Sequence, residues 1–219
     1  MYFLIFAVII LATLIFTLHL LDEHRYHIVD EPVIEDSVET EKVSQEPTIQ
    51  SYISPYEIDI DVIAENIVPR IDPNEPVEDY AERILRNLAK HFEIVQGIFY
   101  LKNKKNEKFE SLCTYAYTSD KEPLPFKTGE GIPGQVAKNK TLMNLKQLPE
   151  KYLEIQSGLG NAPPRNLLLL PLLLNKETIG IIELATFHEI DKETEWTFKN
   201  LAKIIGNAIV TKTKSRDQK

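Results

Sequence analysis

Cysteine is almost absent: Cys113 is the only one in 219 residues, which excludes an internal disulfide framework and fits a reducing compartment. One thiol also leaves any thiol–disulfide cycle without its second member. The histidines, His19, His24, His27, His91 and His188, form no His-x-x-x-His pair or Cys/His cluster in the body of the chain, so no metal site is expected. His24 and His27 would bind a metal only with added partners. The G-x-S-x-G nucleophile elbow is missing, and so are the V-A-I-K, H-R-D and D-F-G sequences of a protein kinase.

Charge is absent from residues 1–21, MYFLIFAVIILATLIFTLHLL, which are apolar apart from Thr13, Thr17 and His19. That length crosses a hydrocarbon core of about 30 Å as a helix. No Lys or Arg precedes the apolar run and no small-x-small cleavage site follows it, so an uncleaved membrane anchor is favoured over a cleaved secretory signal. Only Arg25 flanks the span on its C-terminal side, and the missing N-terminal positive charge favours an outside N-terminus. With the lone cysteine, this leans towards a cytoplasmic body at the cell membrane.

Basic residues are scarce next. From Asp22 to Glu75 they are Arg25, Lys42 and Arg70 among many acids, so the net charge of −8 belongs to this stretch. Residues 22–55 have too few large apolar side chains to offset the entropy of ordering them, and read as an acidic, self-repelling spacer. The alternative is a docking site for a basic partner. No nucleic-acid partner is expected. Residues 56–73, which include YEIDIDVIAENIVP, form either a short helix or an extended arm.

From Asn74 a helical period appears: Val77, Tyr80, Ala81, Ile84, Leu85, Leu88, Ala89 and Phe92 make one stripe, with Asn74-Glu75-Pro76 as the start signal and Gly97 beyond the end. IVQGIFYL and FESLCTYAYT then read as strands around the turn KNKKNEK, with Phe109, Ser111, Cys113, Tyr115 and Tyr117 expected on one face of the second. The longest later apolar run, 167–174, is interrupted by Pro171 and ends at Asn175-Lys176-Glu177, too short to span a bilayer. Followed by TIGIIELATF it fits an antiparallel pair whose first strand is buried on both faces, with a bulge or an unpaired edge at Pro171. Asp191 is a good N-cap for a last helix striped by Phe198, Leu201, Ala202, Ile205, Ala208 and Ile209. Helix, strands, irregular middle, strands and helix make an α+β domain over 74–213, with 214–219 as a polar tail.

Gly129-Glu-Gly-Ile-Pro-Gly134 has the spacing G-x-G-x-x-G. A dinucleotide site needs that motif between a strand and a helix of a parallel unit, and the two prolines of the preceding KEPLPFKT spoil such a strand. What the glycines supply is a tight loop into the short helix IPGQVAKNK, which either binds an anionic or polar ligand or merely turns the chain.

The ordered succession FKTGEGIPGQVAKNKTLMNLKQLPEKY, SGLGNAPPRNLLLLPLLLNKETIGIIELATF and a closing amphipathic helix resembles a GAF domain of bacterial sensor proteins. The resemblance implies a central antiparallel sheet, the N- and C-terminal helices on one face and a pocket on the other under the irregular middle. It implies a pocket floor from the strands carrying Tyr115, Tyr117 and Glu183, and a lid from Phe126, Gly131, Gln135, Tyr152, Ser157 and Arg165. Ordinary core packing is the competing reading for the tyrosines and Phe126. Glu183 and Arg165, if buried, each require a partner.

NKKNEKFE does not reproduce the signature of cyclic-nucleotide-binding members, Cys113 is not where bilin-binding members attach chromophore, and members that reduce free methionine sulfoxide use several cysteines. The expectation is therefore a non-catalytic, membrane-tethered sensory or signal-relay module for a small ligand or protein partner. Its flanking helices offer a homodimer surface. No particular cofactor is implied. The alternatives are a thiol-dependent reductase of the GAF type and a ligand-free interaction scaffold.

Overall fold

The computed structural model describes residues 56–217, apart from 120, 147, 149–151 and 158–159. The anchor at 1–21 and the acidic spacer at 22–55 lie outside the described residues. Among the described residues no helix is long and apolar enough to cross a membrane.

Helix α1 (Ile60–Ile67) opens the described part, and the stretch open between helix and arm is helical there because Asp59 caps it: its carboxylate accepts the amides of Asp61 and Val62 at 3.0 and 3.3 Å. Helix α2 (Val77–Phe92) follows and presents the expected stripe inward. It starts behind Pro76 with no side-chain cap and ends at Phe92, short of Gly97, with Glu93 as a left-handed C-cap at φ 52°. Tyr80 donates to the Pro69 carbonyl at 3.0 Å and Asn87 to that of Ile67 at 3.0 Å, so two polar groups of α2 fasten α1 and its connection.

Strands β1 (Gln96–Asn103) and β2 (Lys108–Tyr115) form the first hairpin. Asn103 and Asn106 each accept an amide two residues on, and both donate to Glu110, so the lysine-rich turn is held by Asx contacts. After the two-residue β3 (Phe126–Lys127) come helix α3 (Gly131–Asn139), β4 (Met143–Leu145) and a separate small hairpin of β5 (Ile155–Ser157) and β6 (Gly160–Ala162). The second long hairpin is β7 (Asn166–Leu174) with β8 (Glu177–Thr186). Helix α4 (Lys192–Asp217) closes the chain, capped by Asp191, which accepts the Thr194 amide at 2.8 Å. It runs into the segment read as a polar tail, so 214–217 are helical.

The main sheet has the order β3-β2-β1-β8-β7-β4, antiparallel throughout. The leucine run alternates between its two faces: Leu168, Leu170 and Leu172 pack with α1, α2 and α4, while Leu167 and Leu169 pack on the other side. In β8 Ile182 and Leu184 face the helices, and Ile181 and Ala185 face away. Both faces being covered is what makes the run nearly continuous in the sequence. β4 pairs only Leu167, Leu168 and Leu169, so at Pro171 the strand is paired on the β8 side alone, and the bulge falls between Leu172 and Leu173.

The helix side is further tied by Phe92 against Phe198, ring centroids 4.4 Å apart. The buried Lys212 of α4 donates to the Asp72 carbonyl ahead of α2.

Candidate ligand site

The face of the sheet opposite the helices is lined by Ile98, Tyr100, Leu167, Leu169, Ile181 and Ala185, and covered by Phe126, Val136, Ala137 and Ile155. Into this apolar layer β8 places one charged side chain. Glu183 sits opposite Ile98 on β1 and Leu169 on β7 and is 8 % exposed. Among the described residues its carboxylate has neither a hydrogen bond nor an ion pair. Burial pushes its pKa up to about 7, because the charged form has lost water and gained no partner.

Two phenols lie near it, and a third, Tyr117, lies near Tyr100. Tyr100, opposite Ile181, is buried, and its pKa is driven up by burial first and then by the nearby Glu183, Tyr117 and Tyr152. Burial followed by Glu183 takes Tyr152 up to about 12. Tyr152 is also 39 % exposed, so it is in part open to solvent. Phe126 completes the wall, edge-on to Tyr100 at 5.0 Å and stacked on Phe109 at 5.1 Å.

Of the residues proposed from the sequence, Tyr117, Phe126, Tyr152 and Glu183 meet in this layer. Tyr115 does not: it packs on the helix side, together with Cys113. The cause is a bulge in β2, where Phe99 pairs with Cys113 but Tyr100 with Ser111, so Leu112 is extra and the strand changes phase. Ala116, at φ 48°, turns the chain again and returns Tyr117 to the ligand side. The expected common face of Phe109, Ser111, Cys113, Tyr115 and Tyr117 is thus split.

Arg165 is also elsewhere, exposed and paired with Glu189 at 3.2 Å. Gln135 is exposed and donates to the Gly129 carbonyl at 2.7 Å. Gly131, at φ 63°, begins α3, and Ser157 ends β5.

The glycine motif is a chain-turning device. The Gly129 amide donates to the Gly134 carbonyl at 2.7 Å and the Glu130 amide to that of Lys127 at 3.0 Å, while the Glu130 carboxylate accepts the Lys127 amide at 3.0 Å. These amides point into the turn, and an acid sits at the helix start, which is the reverse of a phosphate cradle. A Cβ on Gly134 would lie 2.4 Å from the Lys127 carbonyl oxygen, so the close approach requires glycine.

Tyr100 was missed. Its signal was present, since Ile98 and Tyr100 share a face in a period-two strand, but placing it beside Glu183 requires knowing that β1 pairs with β8.

An antiparallel sheet with helices on one face and an aromatic and acidic layer on the other defines an α+β domain. The chain belongs to the GAF domain family, whose profile matches residues 74–210, a regulatory fold for small ligands or protein partners. No curated protein matches the chain.

Among solved structures it is similar to the GAF domain of a phosphoenolpyruvate-protein phosphotransferase from Coxiella burnetii, with 19 % identity over 71 % of this chain and 95 % of that one at a TM-score of 0.58. It is similar to a methyl-accepting chemotaxis protein fragment, with 14 % identity over 69 % and 96 % and a TM-score of 0.51. It is also similar to free methionine-R-sulfoxide reductase from Neisseria meningitidis, with 15 % identity over 71 % and 86 % and a TM-score of 0.51. At these identities the likeness is one of fold.

Proposed function

We propose that the chain is a non-catalytic sensory or signal-relay module. In this reading residues 1–21 tether it to the cell membrane, the GAF domain lies on the cytoplasmic side, and two copies pair through the helices that flank the sheet. It binds a small ligand on the face opposite those helices and passes its state to a separate protein. The observation that carries the reading is Glu183, a carboxylate buried among tyrosines with no partner of its own among the described residues, because a core residue selected only for packing would not be charged.

The fold alone leaves open a thiol-dependent reductase, since one similar structure is the free methionine-R-sulfoxide reductase of Neisseria meningitidis. Cys113 argues against that chemistry here. It lies on the helix side of the sheet, away from Glu183, and burial, with the acids Glu82 and Glu78 nearby, pushes its thiol up to about 12. A thiol so seldom ionised is a poor nucleophile.

The full chain, purified in detergent without added ligand and then denatured, should release a small molecule in near-stoichiometric amount, identified by mass spectrometry. Repeated preparations that release nothing, from cells in different growth states, would count against the ligand and in favour of a scaffold.

A further inference from the structure

The ligand-side layer has a definite electrostatic character. Its one carboxylate among the described residues, Glu183, is more than nine-tenths buried, accepts no hydrogen bond among them, and is neighboured by Tyr100 and Tyr152, with Tyr117 beside Tyr100. No described cation answers it: Arg165 is turned to Glu189 at the surface, Lys146 pairs with the same Glu189 at 3.0 Å, and Lys138 of α3 is exposed. An anionic ligand would meet this carboxylate without a compensating charge. A neutral donor would satisfy its oxygens but leave its charge unbalanced.

We infer that the site takes a small organic cation, a primary or methylated ammonium, seated on the Glu183 carboxylate within a wall of Tyr100, Tyr117, Tyr152 and Phe126. The inference rests on the reading of this face as a ligand site. Two features fit each other. The carboxylate supplies the opposite charge that a desolvated ammonium needs, and the aromatic rings present the negative faces that attract such a cation. Tyr152 is both partly exposed and close enough to Glu183 to feel its charge, so one ring of the wall is reachable from solvent.

The groups around Glu183 keep the chemistry simple. Tyr100 on β1 and Tyr152 ahead of β5 are both held above the ordinary phenol range. Among the described residues no Lys, Arg, His or second carboxylate bears on Glu183, for which burial is the sole influence. A cation therefore binds the ionised carboxylate, and binding below neutral pH expels a proton.

The test uses the full chain in detergent, with ligand-observed NMR and calorimetry, and four probes: propylammonium, choline, its uncharged isostere 3,3-dimethylbutanol, and propionate. Propylammonium or choline should bind, with the uncharged isostere and propionate at least about tenfold weaker. Glu183→Gln should abolish that preference. Affinity for the cation in the unsubstituted chain should rise about tenfold from pH 6 to pH 8. Tyr152→Leu, at a half-exposed position that leaves the core intact, should weaken the cation severalfold and the isostere little.

Binding of the isostere or of propionate as tightly as the cation would overturn the inference while leaving a ligand site in place. So would cation binding unchanged in Glu183→Gln. Failure of both cations at about 10 mM would overturn it as well, and the separate release experiment would then decide whether the face binds any small molecule.

Discussion

Replacing Glu183 with glutamine removes a charge that the fold buries at a cost, and the size of that cost can be worked out. With the folded-state pKa at about 7 against an ordinary 4.5, the ionised group is disfavoured in the native state by about 3 kcal/mol. The sign is that of a raised carboxyl pKa. The group costs nothing below pH 4, where it is protonated folded and unfolded, and stability is lost as pH rises through 7. Glu183→Gln should therefore stabilise the ligand-free chain progressively, the gain growing by about 2 to 3 kcal/mol from pH 5 to pH 8. Urea denaturation of both proteins in detergent, followed by tryptophan fluorescence, measures this difference, since Trp196 packs at 5.9 Å from Tyr56 in the folded domain. Carboxylates held below their usual range, such as Asp191 through its hydrogen bond from Thr194, lose their contribution at acid pH in both proteins and cancel. A gain that stays flat across this range would refute the claim that Glu183 is charged without a partner.

The remaining predictions concern packing and chemistry elsewhere. Gly134→Ala sets a Cβ 2.4 Å from the Lys127 carbonyl, which only backbone movement relieves; a loss of about 2 to 4 kcal/mol is expected, and an unchanged urea midpoint would show the turn to be more yielding than it looks. Asn144→Ala deprives the Glu195 carboxylate and the buried Asn166 amide of partners at 2.8 and 2.7 Å, at a cost of about 2 kcal/mol read the same way. Tyr80→Phe removes only the bond to the Pro69 carbonyl and should cost about 1 kcal/mol. The unsubstituted chain and Cys113→Ser alike should show no turnover of free methionine sulfoxide, and activity lost on substitution would restore the reductase reading.

Most of the sheet and both long helices follow from local patterns, because each element buries a simple face. The stripe of α2, the cap at Asp191 and the brevity of the leucine run need no knowledge of the rest of the molecule. The site was legible in part. Phe126, Tyr152 and Glu183 follow from the family pattern, and Glu183 stands out as the one charged residue between Ile179 and Ala185. Tyr115 was misplaced because a bulge carries no clear signature of its own: one extra residue at Leu112 reverses every later side chain, and Ala116 in the left-handed region reverses them again. Tyr100 was hidden because its relation to Glu183 exists only through the pairing of β1 with β8, strands about eighty residues apart. Arg165, a lid residue by the family resemblance, is instead paired with Glu189 at the surface, where the pairing costs little desolvation.

How a ligand would reach the helices follows from the pleat of β8. Glu183 faces the ligand layer, while Ile182 and Leu184 on either side of it are embedded against α2 and α4, so the strand cannot shift under one face without shifting under the other. A second connection runs through β4, whose Asn144 donates to Glu195 in the first turn of α4 and to the Ile190 carbonyl just ahead of it. If the site takes a cation as proposed, the charge it supplies offsets up to about the 3 kcal/mol that burial imposes on the ionised Glu183, and any part of that energy that strains or relaxes β8 and β4 is felt at α4 as well, because these strands hold both faces of the domain at once.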